Sequence, residues 1–176
     1  MFGPISKQRL ALVEPTLAEL MYTLESQMSE PIGITQGVRS DMEQEALFMQ
    51  GRYPVDQVNA LRLKVGWALI LASQNIRTVT NAKPGYSWHP FGMAVDAVPF
   101  DSAMHPDWNE EHPVWKEMIE KGKALGLTSG ISWKDEPHFQ LTGRFPVTPT
   151  EEVRLLAQAG GMQTVWSAAG IQVRGG

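Results

Sequence analysis

The chain has 176 residues, 43% of them hydrophobic and 19% charged, which fits one globular unit with a buried core and excludes a disordered or fibrous class. Fifteen Lys and Arg against nineteen Asp and Glu give a net charge of -4, which speaks against a nucleic-acid partner needing a basic footprint. Cysteine is absent, so disulfides and thiolate ligands are excluded, and histidine and carboxylate are the side chains left for holding a metal.

Apolar residues at Leu10, Val13, Leu17, Leu20, Met21 and Leu24 recur at helical spacing and predict an amphipathic helix from Ser6 to about Gln27, with Pro15 as its one blemish. Ile32, Ile34 and Val38 then predict a strand that delivers Arg39 at its end. Ser40 with Glu43 three positions on forms a capping box, so a helix is expected to about Met49, stopped by Gly51. The stretch from Val58 to Ser73 reads as mostly helical, and Arg77 to Thr80 as a short strand. No apolar run reaches the roughly 18 residues of a membrane span. The N-terminal residues lack a signal-peptide apolar core, so synthesis in the cytoplasm is the expectation.

The stretch Ser87-Trp88-His89-Pro90-Phe91-Gly92-Met93-Ala94-Val95-Asp96 places an imidazole and a carboxylate on either side of a sharp turn in an otherwise apolar run. Residues 92–98 read as a strand with Ala94, Asp96 and Val98 on one face, where a carboxylate is costly unless a cation or hydrogen bonds compensate it. Residues 99–113 read as a surface loop beside the site, and Val114 to Leu125 as a helix closing at Gly126. His138 then opens an apolar strand, residues 137–141, directly after Asp135, Glu136 and Pro137. Two histidines and an aspartate make three ligands, the number typical of a catalytic zinc that keeps a fourth position open. His105 and His112, each in a loop with prolines and acids, read as solvated side chains. After Gly143, Thr150 to Ala159 predicts a capped helix, broken at Gly160-Gly161 and followed by a short apolar segment.

S-x-H-x-x-G-x-A-x-D followed by D-x-P-H-F resembles the zinc peptidases of the VanX and VanY type, the D-alanyl-D-alanine peptidases. Within them it is most similar to the L-alanyl-D-glutamate endopeptidases found among phage endolysins, because the VanX and VanY branches more often present glutamate and a tryptophan beside the last histidine. The resemblance covers roughly Ile32 to Leu141. It implies an α+β fold, hedgehog/DD-peptidase-like, with a small antiparallel sheet carrying one zinc and helices packed around it. Residues 1–176 would form a single peptidase domain, with 144–176 a C-terminal helical extension. By the same resemblance His89, Asp96 and His138 are the zinc ligands, Asp135 the general base, Ser87 a substrate contact, and Arg39 the positive charge facing the scissile carbonyl or a substrate carboxylate.

Neighbours in an extended segment point to opposite faces, so only one of Asp135 and Glu136 can aim at the metal, and the family spacing selects Asp135. The implied reaction is hydrolysis of an amide bond in the peptidoglycan stem peptide, in host lysis, by a monomer released through a holin. A D-alanyl-D-alanine carboxypeptidase and a non-catalytic wall-binding module are the alternatives, and Ser87 has a second reading as a turn-stabilising hydroxyl.

Overall fold

A computed structural model describes residues 1–171. The opening helix is two: α1 (Pro4–Leu10) and α2 (Pro15–Gln27). Pro15 starts the second helix at its first position, where a missing N–H costs nothing, and the Glu14 carboxylate caps it by accepting from Leu17 N at 2.7 Å. The proline is therefore a boundary, and a single helix through it was the wrong expectation. Strand β1 (Ile32–Gln36) follows. Helix α3 (Asp41–Met49) carries the expected capping box of Ser40 and Glu43.

Helix α4 (Val55–Lys64) is shorter than its periodicity predicts. Gly66, at φ +75°, turns the chain out of the helix, a conformation that glycine adopts without steric cost. The Asn59 side chain then takes both the N–H and the carbonyl of Ile70, each at 2.9 Å, so the apolar stretch after Gly66 is irregular. Residues 77–80 form no strand, and Thr80 O accepts from Arg52 Nη1 at 2.8 Å instead.

A 3₁₀ turn (His89–Phe91) precedes strand β2 (Ala94–Pro99). Helix α5 (Pro113–Ala124), strand β3 (Thr128–Gly130), strand β4 (Asp135–Gln140) and helix α6 (Glu151–Ala169) follow, and two more 3₁₀ turns lie at Ala72–Gln74 and Ile131–Trp133. Helix α6 is kinked at Gly160 and Gly161, where the sequence places a break.

The four strands form an antiparallel sheet in the order β1-β2-β4-β3, the α+β arrangement expected. On one face Val95, Ala97 and Phe139 pack with Leu17, Met21, Leu24, Trp115 and Met118, a core between the sheet and α2 and α5. The free edge of β1 is covered by α1: Ile34 N donates to Ser6 Oγ at 3.0 Å and Ile34 O accepts from Arg9 Nη1 at 2.5 Å, which blunts an edge that could otherwise pair with another chain. A second cluster joins Trp88, Phe91, Met93 and Ala94 to Phe145, Val153, Val165 and Ala169, so α6 packs directly on the turn that bears His89. Two indoles tie this contact, Trp88 Nε1 to Val147 O and Trp166 Nε1 to Phe91 O, both at 2.7 Å.

Candidate metal centre

His89 sits in the 3₁₀ turn and is 2% exposed. Gly92 follows at φ +65°, and a Cβ there would stand 3.0 Å from Trp166 Cζ2, so both backbone and packing require glycine where the chain reverses into β2. Three residues into that strand, Asp96 lies opposite His138 of β4 in the ladder. Directly opposed residues of antiparallel strands share a face. His89 Nε2 approaches Asp96 Oδ1 at 3.1 Å and His138 Nδ1 approaches the same oxygen at 3.4 Å. One ligand atom from each residue lies within 4.8 Å of the others.

The outer ring nitrogens decide what this cluster can hold. His89 Nδ1 is 2.8 Å from Gly37 O, a carbonyl that only accepts, so Nδ1 carries the proton. His138 Nε2 is 2.9 Å from Gln140 Oε1, and the Gln140 amide nitrogen donates to Val147 O at 2.9 Å, which fixes the orientation of that amide and puts the proton on His138 Nε2. In the neutral rings, Nε2 of His89 and Nδ1 of His138 therefore turn bare lone pairs toward an ionised carboxylate. Such a donor set is complete only with a cation at its centre, and two imidazoles plus a carboxylate suit zinc. The residues fit the metal that the family resemblance implies.

In the metal-free protein the same crowding shows in the ionisation of the groups. Burial alone would raise the Asp96 carboxyl, but the charge of His89 and the hydrogen bonds that both histidines donate once they take up a second ring proton hold it well below the usual carboxylate range. Burial lowers His89 against the opposing pull of Asp96. For His138 the hydrogen bond and charge of Asp96 outweigh burial and raise it. Asp135 is raised, first by burial and then by the negative charge of Asp96, with His138, His89 and Arg39 opposing.

Strict alternation along β4 would put Glu136, not Asp135, on the face of His138. The pairing with β3 jumps from Ser129↔Phe139 to Gly130↔Asp135, a bulge of the kind that re-aims side chains. Gly130 makes room for it, since a Cβ there would lie 2.1 Å from Asp135 O. The charges of Asp96, His138, His89 and Arg39 all act on the Asp135 carboxyl, which places it near the candidate ligands. Glu136 acts together with Asp135 on Glu110, whose carboxyl is raised by burial and then by these two charges, so the 99–112 loop borders the acidic side of the site.

Arg39 is 7% exposed; its Nη2 donates to Asp96 Oδ2 at 3.3 Å and its Nη1 to Gln44 Oε1 at 2.8 Å. It backs the carboxylate ligand rather than presenting a free fork. Gln44, fully buried, passes the contact on to Ala82 O at 2.8 Å. Ser87 is buried, and its Oγ accepts from His89 N at 3.4 Å, the geometry of a turn-stabilising hydroxyl.

His105 and His112 lie outside the cluster, exposed and beside Asp101 and Asp107. Trp88, Phe91 and Phe139 are core. Trp133, by contrast, is 38% exposed with its ring centroid 5.9 Å from that of His138, an aromatic wall at the mouth of the site.

The supports Gly37 O, Gln140 and Gln44 were not assigned roles from sequence. Gln140 had a signal, because it lies two residues after His138 and so on the same strand face. Gly37, contributing only a carbonyl, had none.

The resemblance to the VanX- and VanY-type peptidases holds. Residues 80–141 match the family model described as D-alanyl-D-alanine carboxypeptidase, and His89, Asp96, Asp135 and His138 all fall inside that segment while Arg39 lies before it. Among individual proteins, the chain is 29% identical over 118 residues to the peptidoglycan L-alanyl-D-glutamate endopeptidase CwlK of Bacillus subtilis (strain 168). The match takes in 61% of this chain and 59% of that protein's length. The crystal structure of the Serratia marcescens L-Ala D-Glu endopeptidase ChiX aligns with a TM-score of 0.49 at 23% identity, over 82% of this chain and 92% of the other.

Proposed function

We propose that the protein is a zinc peptidase that hydrolyses the L-alanyl-D-glutamate amide bond of peptidoglycan stem peptides. The observation that carries this reading is the convergence of two lone-pair nitrogens and a carboxylate on one point, with a second carboxyl, Asp135, close enough to feel the charge of all three. His89, Asp96 and His138 would hold one zinc per chain. When bound, the metal supplies Lewis acidity toward the scissile carbonyl and makes a water nucleophilic near neutral pH.

Asp135 accepts the proton of the attacking water and returns it to the leaving amine nitrogen. Such general acid–base work contributes about 10² to 10⁴ in rate. Arg39 holds Asp96 ionised and oriented, and its fixed charge favours the oxyanion formed as the carbonyl carbon becomes tetrahedral. Trp133 offers an apolar wall to the peptide. The name of the Bacillus subtilis relative and the D-x-P-H-F segment support the choice of bond, and, because such endopeptidases are found among phage endolysins, the reading extends to host lysis by a protein made in the cytoplasm and reaching the wall through a holin.

The test is mass spectrometry of fragments released from purified peptidoglycan by the zinc-loaded protein and by its Asp135→Ala variant. New amino-terminal D-glutamate or isoglutamine ends, lost in the variant, are expected. Free D-alanine instead would establish the second reading, a D-alanyl-D-alanine carboxypeptidase, which the description of the matching family favours. Equal wall binding by both proteins without any fragments would make the chain a non-catalytic wall module.

A further inference from the structure

Residues 50–83 hold Arg52, Arg62, Lys64, Arg77 and Lys83 against a single acid, Asp56, leaving ten basic and eighteen acidic residues of the chain's 15 and 19 on everything else. The arm is thus strongly cationic on an acidic protein. Among the described residues none of its five cations pairs with a carboxylate. Arg62 and Arg52 instead lie over the Trp67 and Phe48 rings, at 5.4 and 4.3 Å.

The arm is held by polar clamps rather than by a core of its own. Besides the Asn59 clamp on Ile70, Asn75 accepts from Gly51 N at 2.8 Å and donates to Tyr53 O at 2.9 Å. Arg62 Nε donates to Ala68 O at 2.7 Å. With the backbone satisfied in this way, the aliphatic side chains are not needed inside. Leu63, Leu69, Leu71, Ile76 and Val79 are each 50–73% exposed. Isolated exposed leucines are ordinary, but five large aliphatics within one pinned segment, set among cations that no carboxylate neutralises, are not.

We propose that this arm is a peripheral docking surface for an anionic lipid bilayer. The cations meet acidic headgroups while the aliphatic side chains enter the boundary between headgroups and acyl chains. An anionic wall polymer would match the charges but would leave the aliphatic side chains in water. A glycan surface calls for a platform of exposed aromatic faces, whereas Trp67 is partly buried beneath Arg62 and Tyr53, 47% exposed, is the arm's one other aromatic. No helix among the described residues is long and apolar enough to cross a membrane, so the attachment is to one leaflet. The arm joins the metal centre through the Gln44 contact to Ala82, which would hold the site at a set height above the lipid.

The experiment is co-sedimentation of the full chain with vesicles of pure phosphatidylcholine, or of equal parts phosphatidylcholine and phosphatidylglycerol, at low and physiological salt. Binding at least about tenfold tighter to the anionic vesicles is expected, weakening with salt. Lys64→Glu with Arg77→Glu should remove about tenfold of that affinity. Leu69→Ser with Leu71→Ser should abolish the part that survives salt. Equal or absent binding to the two vesicle types, variants that bind like the parent, or binding to purified teichoic acid with none to vesicles would each overturn the proposal. The lipid and salt comparisons use the unaltered protein, so they decide the matter even where a variant folds poorly.

Discussion

Gln140→Leu isolates the support of one ligand from the ligand itself. Gln140 is 2% exposed, accepts from His138 Nε2 at 2.9 Å and donates to Val147 O at 2.9 Å. Leucine fills much of the same volume but does neither. Val147 O keeps Trp88 Nε1 at 2.7 Å, so the loss on that side is one hydrogen bond of about 1 kcal/mol. On the other side His138 Nε2–H is stranded in a buried place, a cost of about 1–3 kcal/mol, and the ring is freed to turn its proton toward the site.

Burial of the added apolar surface offsets part of this, so the metal-free protein should lose about 1–3 kcal/mol. Zinc affinity should fall about 10- to 100-fold, as it does when the outer partner of a ligating histidine is removed. Chelator competition reads the affinity and urea unfolding of the metal-free protein reads the stability. Gln140→Glu, which keeps an acceptor oxygen at His138, should retain affinity much nearer the parent's. If Gln140→Leu binds zinc within about twofold of the parent, the tautomer argument for the metal centre is wrong.

Asp135→Asn should stabilise the metal-free protein at neutral pH. The folded-state pKa of Asp135 is raised, so its stabilising contribution is complete below the unfolded value of about 3.9 and is lost as pH rises through the folded value. Thermal melts should therefore show the variant above the parent at pH 7 and level with it near pH 3; a constant gap at both would contradict the assignment. Gly130→Ala, at an ordinary φ of -73°, should be destabilised for steric reasons alone by about 1–3 kcal/mol in urea unfolding, because its Cβ would collide with Asp135 O. It should also lower turnover by more than its loss of folded fraction explains, since the bulge that aims Asp135 would have to move.

The amino-acid sequence by itself singled out the three residues that the structure brings together as a candidate metal centre. His89 and Asp96 are seven residues apart across the turn at Gly92, and His138 opens the apolar half of β4. These are short-range signals, which is also why the Ser40–Glu43 capping box and the Gly160-Gly161 break were legible. Helical periodicity failed after Lys64 because Gly66 and the Asn59 clamp, a contact eleven residues away, outweigh it.

Only the tertiary structure decided which way the groups face. Alternation alone assigns Glu136 to the face of His138, and the β3–β4 bulge at Gly130 breaks that alternation beside Asp135. Arg39, readable as a free positive charge, is turned back onto Asp96 and Gln44. The tautomers of both histidines depend on Gly37 O and Gln140, one an atom every residue has and the other an amide oriented by Val147 O. Strand register and backbone acceptors form from pairings distant along the chain, so the sequence names the candidate ligands while the fold sets their lone pairs, protons and charges.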